Sequence, residues 1–230
     1  MDIDSTPMLK AVVVEGSLII PPHADPNHVR TFDAEYIFVR GGYMEVGTEE
    51  FPYTSKLIIT MHGDKKSPEI PIYGNKVIGV RHGVLEMHGV PRSPTWTELD
   101  TTALAGSDTI TLLREVDWQE GEVIVIASTS YNNDEAEERT IVSVDRSNPS
   151  KPVITLDRPL DYKHYAAIEM YGTETLEMRA EVGLLTRNVV FRGDPETSPL
   201  NQYGAHIMLH SHGDESVIGR LEYCEFRDVG

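Results

Sequence analysis

This chain of 230 residues carries 37 acidic and 20 basic residues, which give a formal net charge of −17. Such a charge repels phosphate backbones, so we expect no nucleic-acid partner. Every apolar stretch is shorter than the roughly 18 residues of a membrane-spanning helix, and the acidic start does not resemble a signal peptide. The single Cys224 excludes an internal disulfide, and its alternating strand context predicts a buried structural thiol.

Two segments in the first hundred residues follow one pattern. Ile37–Val46 reads IFVRGGYMEV, and Ile78–Met87 reads IGVRHGVLEM. A third apolar run, Leu57–Met61, lies about halfway between them. Because a repeat unit of this length cannot bury its apolar face alone, the pattern predicts a solenoid of stacked strands.

Stacking would also align equivalent residues of successive units. Arg40 and Arg81 occupy the same position of the repeat, and so do Glu45 and Glu86. We expect these charges to form ladders that set the register of the strands and favour solubility, and we assign them no catalytic role.

Strand patterns continue along the chain, but their spacing changes. The first predicted strands are Val12–Ile20, Tyr36–Val46, Leu57–His62 and Val77–His88. Shorter strands separated by turn residues follow at Asp108–Leu113, Val123–Ser128, Arg139–Val144 and Val153–Leu156. The earlier pattern returns at Val182–Arg192, Ala205–Leu209 and Arg220–Arg227.

These patterns predict an all-β fold in which a right-handed parallel β-helix carries an inserted small antiparallel β-barrel or sandwich. We place the N-terminal rungs at residues 1–96, the insertion at 97–178 and the resumed β-helix at 179–230. The best helical candidate, Asn133–Arg139, is equally typical of a charged loop. No capping element follows the last strand pattern, so we expect a truncated coil.

Several motifs resemble the G8 domain. They are Tyr73–Val80 (YGNKVIGV), Gly83–Arg92 (GVLEMHGVPR) and Thr95–Leu99 (TWTEL). Arg179–Asn188 is similar to the segment where G8 proteins resume a parallel β-helix. The likeness is to fibrocystin-like cell-surface proteins and, more distantly, to hyaluronan-binding and hyaluronan-depolymerising proteins. It implies an extracellular or cell-surface fragment with PbH1 repeats, a G8 region that includes the insertion, and a parent protein that could carry a membrane anchor.

The segment HIMLHSHGD, residues 206–214, has the highest density of potential ligands. Alternate residues of a strand share a face, so His206, His210 and His212 could project together, close to Asp214. Imidazoles and a carboxylate suit Zn²⁺ or a sugar. The alternative is an external polar face, with Ile207 and Leu209 packed inward.

Two further features carry open alternatives. Residues 132–138 (NNDEAEE) supply oxygen ligands for Ca²⁺, but they lack the spacing of a calcium loop and are typical of a solvated acidic hairpin. Trp96 is either a platform for a sugar ring or a residue at the junction with the insertion, and we favour the junction. Trp118 is interpreted as core.

Two functions remain open from the sequence. The first is a non-catalytic scaffold or adhesion module that contacts extracellular proteins or glycans. The second is a module that binds or cleaves a carbohydrate of the hyaluronan type, with His206, His210, His212 and Asp214 at its site. No cofactor is required by either, although Ca²⁺ or Zn²⁺ is a candidate. Whether the chain is an enzyme is open, and the absence of a catalytic motif favours a non-enzyme.

Overall fold

A computed structural model describes residues 3–230. The described chain is all-β, with 47% of its residues in strands and 4% in helices. It divides into two compact units. Unit 1 combines the residues up to Pro91 with Arg187–Gly230, and unit 2 is Arg92–Thr186. The insertion predicted at 97–178 falls within unit 2.

The strands are short and follow one another closely. Those before residue 92 are β1 (Leu9–Val14), β2 (Ser17–Ile19), β3 (Val29–Arg40), β4 (Tyr43–Val46), β5 (Lys56–Met61), β6 (Val77–Arg81) and β7 (Val84–His88). Unit 2 contains β8 (Trp96–Glu98), β9 (Thr109–Thr111), β10 (Val123–Ile126), β11 (Glu137–Asp145), β12 (Val153–Leu156), β13 (Ala166–Tyr171), β14 (Glu174–Arg179) and β15 (Glu181–Leu184). The remainder of unit 1 contains β16 (Val189–Gly193), α1 (Thr197–Asn201), β17 (His206–Leu209), β18 (Ile218–Glu222) and β19 (Cys224–Arg227).

Unit 1 consists of two sheets whose strand pairings are parallel. One sheet holds seven strands, β1, β3, β5, β6, β16, β17 and β19, and the other holds β2, β4, β7 and β18. The chain passes from the first sheet to the second at β1–β2, β3–β4, β6–β7 and β17–β18. Residues of β6 on both faces are buried, as expected where a parallel strand is covered on both sides.

The repeat recognised in the sequence is stacked in register. Ile37 pairs with Ile78 and Arg40 pairs with Arg81, while Glu45 pairs with Glu86 on the second sheet. The predicted ladders are therefore confirmed. On the other side of Glu86, the next strand, β18, places Arg220 opposite it, and the two side chains form an ion pair.

The core of unit 1 is built from the inward residues of both sheets. Its fully buried side chains include Ile37, Leu57, Ile78 and Leu85. Cys224 packs against this core, and burial raises the pKa of its thiol to about 12. The thiol therefore stays protonated near neutral pH, and Cys224 is partly buried where full burial was predicted.

Unit 2 is a six-stranded antiparallel sheet whose ends meet. The strand order is β8-β15-β10-β11-β12-β9, and a bridge between Leu99 and Leu112 joins the two ends. The N–H of Leu113 donates to the carbonyl of Glu98 at 2.8 Å in this bridge. The sheet encloses an apolar core that contains the fully buried Trp118, as predicted.

Local structure departs from the sequence-based expectation in three places. The helical candidate at Asn133–Arg139 is a 3₁₀ turn at Asn133–Glu135, followed by strand β11. The helix α1 and the hairpin β13–β14 were not predicted. The helix was not predicted because it contains Pro199, a residue that usually interrupts helices. The hairpin was not predicted because its polar and apolar residues do not alternate regularly. Among the described residues, no helix has the length and apolar character needed to cross a bilayer.

Candidate functional site

The histidine-rich segment lies at the end of a parallel strand in unit 1. Strand β17 pairs with β6 so that His206 faces Val77, and the N–H of His210 donates to the carbonyl of Val80 at 3.0 Å. Ile207 packs against the core, whereas Leu209 is 43% exposed. The strand thus anchors His206 and carries His210 and His212 into the loop that follows.

Three imidazoles from two segments lie next to one another. The ring centroid of His212 is 5.3 Å from that of His210 and 5.4 Å from that of His82. The sequence pattern did not indicate His82, which follows β6, because only the pairing of β6 with β17 brings it close. We call His82, His210 and His212 the imidazole cluster.

Two hydroxyl groups orient the imidazole cluster. The Tyr73 hydroxyl lies 3.1 Å from Nδ1 of His210, and the Ser216 hydroxyl lies 3.0 Å from Nδ1 of His82. Burial raises the pKa of Tyr73, so its hydroxyl keeps its proton and is able to donate it to His210. With Nδ1 engaged, each of these two rings has Nε2 left for a ligand.

Asp214 supplies a negative charge beside the cluster. Its carboxylate accepts hydrogen bonds from the hydroxyl of Ser216 at 2.5 Å and from the N–H of Ser216 at 3.1 Å. These bonds lower the pKa of Asp214, and the neighbouring His82 and His212 lower it further. The carboxylate therefore remains ionised into the acidic range.

His206 occupies a different position. Its Nε2 lies 2.9 Å from the backbone carbonyl oxygen of Tyr73. Because a carbonyl only accepts, Nε2 of His206 carries the proton and donates it. The structure therefore brings His210, His212 and Asp214 together with His82, and it uses His206 to hold the backbone beside Tyr73.

The described residues contain no group of three or more His, Cys, Asp or Glu side chains arranged to hold a metal ion. In the acidic segment proposed for Ca²⁺, the side chain of Asn132 caps the 3₁₀ turn by accepting from the N–H of Asp134 at 3.1 Å. Glu137 of the same segment is buried inside unit 2. The oxygens of this segment therefore do not face one point.

The two tryptophans of unit 2 differ in exposure. Trp96 is 49% exposed on the edge strand β8, where it pairs with Gly183 of β15. Trp118 is buried, and its indole N–H donates to the carbonyl of Pro94 at 2.8 Å. Of the two, Trp96 has a ring face available to a ligand.

A buried charged network in unit 2 was not identified from the sequence. The carboxylate of Glu137 lies 2.9 Å from Nε2 of His164 and forms an ion pair with Arg139, and all three residues are at most 4% exposed. The backbone N–H groups of Asp161 and Tyr162 also donate to Glu137, each at 2.8 Å. The sequence did contain a signal for this network, because Glu137 and Arg139 occupy the same face of strand β11 as the apolar Ile141.

The hydrogen bonds of this buried network hold neighbouring backbone segments together. Nδ1 of His164 lies 2.8 Å from the carbonyl oxygen of Ala127, so both ring nitrogens have a hydrogen-bond partner. Arg139 also donates to the carbonyls of Pro159 and Glu138. The network fixes the segment after β12 against β11.

The first hundred residues, which contain the stacked repeat of β3–β4 and β6–β7, match a known domain family. Residues 1–100 match the G8 domain. Fibrocystin-L of Mus musculus and of Homo sapiens are each 36% identical to this chain over 98% of its length. A G8 domain-containing protein of Dictyostelium discoideum is 28% identical over 84% of the chain. The resemblance to G8 proteins and to fibrocystin-L is thereby confirmed.

The chain spans a small part of these relatives. It covers 6% of each fibrocystin-L and 13% of the Dictyostelium G8 domain-containing protein. The G8 match includes β1 to β7 and the start of unit 2, and the segments of β16 to β19 lie beyond it. The imidazole cluster therefore joins one residue of the matched G8 region, His82, to two residues outside it.

Proposed function

We propose that this chain is a non-catalytic scaffold or adhesion module of an extracellular or cell-surface protein similar to fibrocystin-L, and that it contacts proteins or glycans. The observation that carries the proposal is the in-register stack of parallel strands in unit 1. Such a stack presents long, regular rows of side chains, which suit an extended contact surface. The 36% identity to fibrocystin-L supports the extracellular or cell-surface assignment.

We further propose that unit 1 is a right-handed parallel β-helix of PbH1 type interrupted by unit 2. The parallel pairing of both sheets supports this architecture, as does the repeated passage of the chain from one sheet to the other. Strands joined by crossovers within one parallel sheet follow a right-handed path in nearly all proteins. Unit 2 is the small antiparallel barrel carried by this coil.

The scaffold role predicts binding without turnover. The purified chain should bind at least one member of a panel of immobilised glycans and cell-surface ectodomains. Incubation with hyaluronan, chondroitin and a neutral glucan should leave the chain length of each polymer unchanged on size-exclusion chromatography. Reproducible shortening of a polymer that is abolished by one point substitution would overturn the proposal.

The imidazole cluster favours a second candidate, a site that binds or cleaves a hyaluronan-type carbohydrate. Imidazoles beside an ionised carboxylate offer donors and acceptors to sugar hydroxyls. We infer that His210 and His212 would make the contacts, with Asp214 supplying the neighbouring carboxylate. The high negative charge of the chain opposes an acidic polymer, which ranks this candidate second.

Substitution of the cluster tests the second candidate. If it is correct, the double variant His210→Ala/His212→Ala should lose at least about tenfold in affinity for hyaluronan oligosaccharides, equivalent to two lost hydrogen bonds. Isothermal titration calorimetry measures the affinity, and thermal melting checks the fold. His23→Ala is the matched control, since His23 is also a partly exposed histidine of unit 1. Equal affinity in all three proteins would remove the cluster from consideration.

A further inference from the structure

The hairpin β13–β14 of unit 2 exposes many large apolar side chains for its size. Ile168, Met170, Tyr171, Leu176 and Met178 are each between 42% and 64% exposed. In the part of the chain that the structure describes, the two strands form a sheet only with each other. A two-stranded hairpin is marginal by itself, and exposed apolar patches mark interaction sites.

A cleft of about 860 Å³ lies beside the hairpin. Its walls come from the hairpin and from the segments 129–135 and 163–165. The side chains that matter most for recognition are Glu135, Lys163, Tyr165, Glu169, Tyr171 and Met178. The cleft therefore combines aromatic rings, carboxylates and a thioether in one concave surface, which we call the hairpin cleft.

The uncompensated charge of the hairpin cleft is negative. Within the described residues, no ion pair involves Glu135, Glu169 or the adjoining Glu174, and none involves the lining residue Lys163, so three negative charges face one positive charge. Arg179 in the wall is already occupied, because it donates to Glu177 at 2.7 Å and to the carbonyl of Leu99 at 2.8 Å. A ligand that brings positive charge would meet carboxylates that have no other cationic partner.

The rings of the cleft suit cations as well. The ammonium group of Lys163 lies 5.6 Å from the ring centroid of Tyr165, which is the geometry of a cation–π contact. The hydroxyl of Tyr165 donates to the carboxylate of Glu169, which holds this ring in place. The ring of Tyr171 is 62% exposed and is free to receive a second basic side chain.

We propose that the hairpin cleft binds an extended basic segment of a partner protein, in which Lys or Arg alternates with apolar residues. The basic side chains contact Tyr171 and the carboxylates, the apolar ones cover Met178 and its neighbours, and the backbone adds a strand to the open edge of the hairpin. A second copy of this chain is disfavoured by its own net charge of −17. The proposal goes beyond the scaffold role, since it names one partner chemistry at one surface.

Fluorescence anisotropy with defined peptides tests this proposal. The probe is a labelled peptide of four Lys-Val repeats, and the matched peptide has four Glu-Val repeats. We expect the basic peptide to bind at least about tenfold more tightly than the acidic one, and its affinity to fall as NaCl rises from about 0.05 to 0.5 M. Preferential binding of the acidic peptide, or an affinity that salt does not change, would overturn the proposal.

Variants distinguish the cleft from a general attraction to an acidic protein. Glu169→Gln and Tyr171→Ala should each weaken basic-peptide binding at least about fivefold. Glu120→Gln removes the same charge at an exposed position of unit 2, and Phe51→Ala removes an exposed ring of unit 1, so both should bind like the wild type. Equal losses of peptide affinity in the control variants would show a non-specific attraction to the acidic protein and would contradict binding at the hairpin cleft.

The remaining occupants are outcomes of the same experiment. A neutral oligosaccharide that binds in a Tyr171-dependent manner while the basic peptide does not would replace the peptide assignment. A dimer on light scattering that Tyr171→Ala dissociates would assign the surface to a second copy. Each result is independent of the polymer-length assay, so the scaffold role and this cleft can fail separately. Tryptophan fluorescence checks the folding of the unit 2 variants, because both tryptophans lie in that unit, and circular dichroism checks the folding of Phe51→Ala in unit 1.

Discussion

Glu137→Ala should lower the free energy of unfolding of unit 2 by about 3–5 kcal/mol. The substitution removes the carboxylate that faces His164 and Arg139 and leaves both buried without it. It also removes the acceptor of the Asp161 and Tyr162 N–H groups. Removing one partner of a buried ionic network is far more costly than removing an exposed pair, because the buried guanidinium of Arg139 is left with only the exposed carboxylate of Asp161 as its anionic partner.

Urea unfolding followed by tryptophan fluorescence measures this effect. Trp96 and Trp118 both belong to unit 2, so the signal reports that unit alone. Glu138→Ala is the matched control, since Glu138 is the next residue of β11 and is exposed. We expect the control to stay within about 0.5 kcal/mol of the wild type. Indistinguishable midpoints for the two variants would contradict the structural role of the network.

The pH dependence of this effect has a definite sign. Burial raises the pKa of Glu137, but the N–H of Asp161, His164, the N–H of Tyr162 and Arg139 together outweigh it, so the pKa is lowered from 4.5. A lowered folded-state pKa contributes stability above the unfolded pKa, and that stability is lost as pH falls through the folded value. The difference between wild type and Glu137→Ala should therefore be full near pH 7 and shrink below about pH 4.5.

Gly47→Ala should destabilise unit 1 by at least about 3 kcal/mol. Gly47 has φ 71°, which only glycine adopts without strain. A Cβ at this position would lie 2.4 Å from the nitrogen of Tyr53 and 2.8 Å from the carbonyl oxygen of His88. Those two atoms form a hydrogen bond of 2.8 Å, so the methyl group would have to displace backbone that joins β7 to the segment before β5.

Gly41→Ala separates the cost of the left-handed backbone conformation from the cost of the steric clash of an added Cβ. Gly41 has a similar φ of 68°, but the nearest atom to its added Cβ is 3.9 Å away. We expect Gly41→Ala to cost only the about 1–2 kcal/mol of the left-handed conformation. Urea unfolding followed by circular dichroism measures both variants, and hydrogen exchange of β4 and β7 assigns the loss to unit 1. Equal costs at the two positions would show that the close approach at Gly47 is not maintained in solution.

Part of the candidate site was predictable. His210 and His212 lie close to Asp214 because these residues are neighbours in the chain, but the predicted strand face shared with His206 is wrong, since β17 ends at Leu209. His82 was not predictable, because its proximity depends on the register between β6 and β17, whose residues are more than a hundred positions apart. The hairpin cleft was missed for the same reason, since Glu135, Tyr165 and Tyr171 come from three separate segments.

By itself, the sequence determined the all-β class, the G8 resemblance, the in-register repeat and the core position of Trp118. These properties depend on residue type and short-range periodicity, which can be recognised in the sequence without knowing where a strand packs in the fold. Only the tertiary structure decided that His206 holds backbone while His82 joins the cluster, that Glu137 is buried with His164, and that the hairpin leaves its apolar side chains open. These outcomes depend on which distant segments meet, and long-range contacts follow from the packing of the whole chain and not from local pattern.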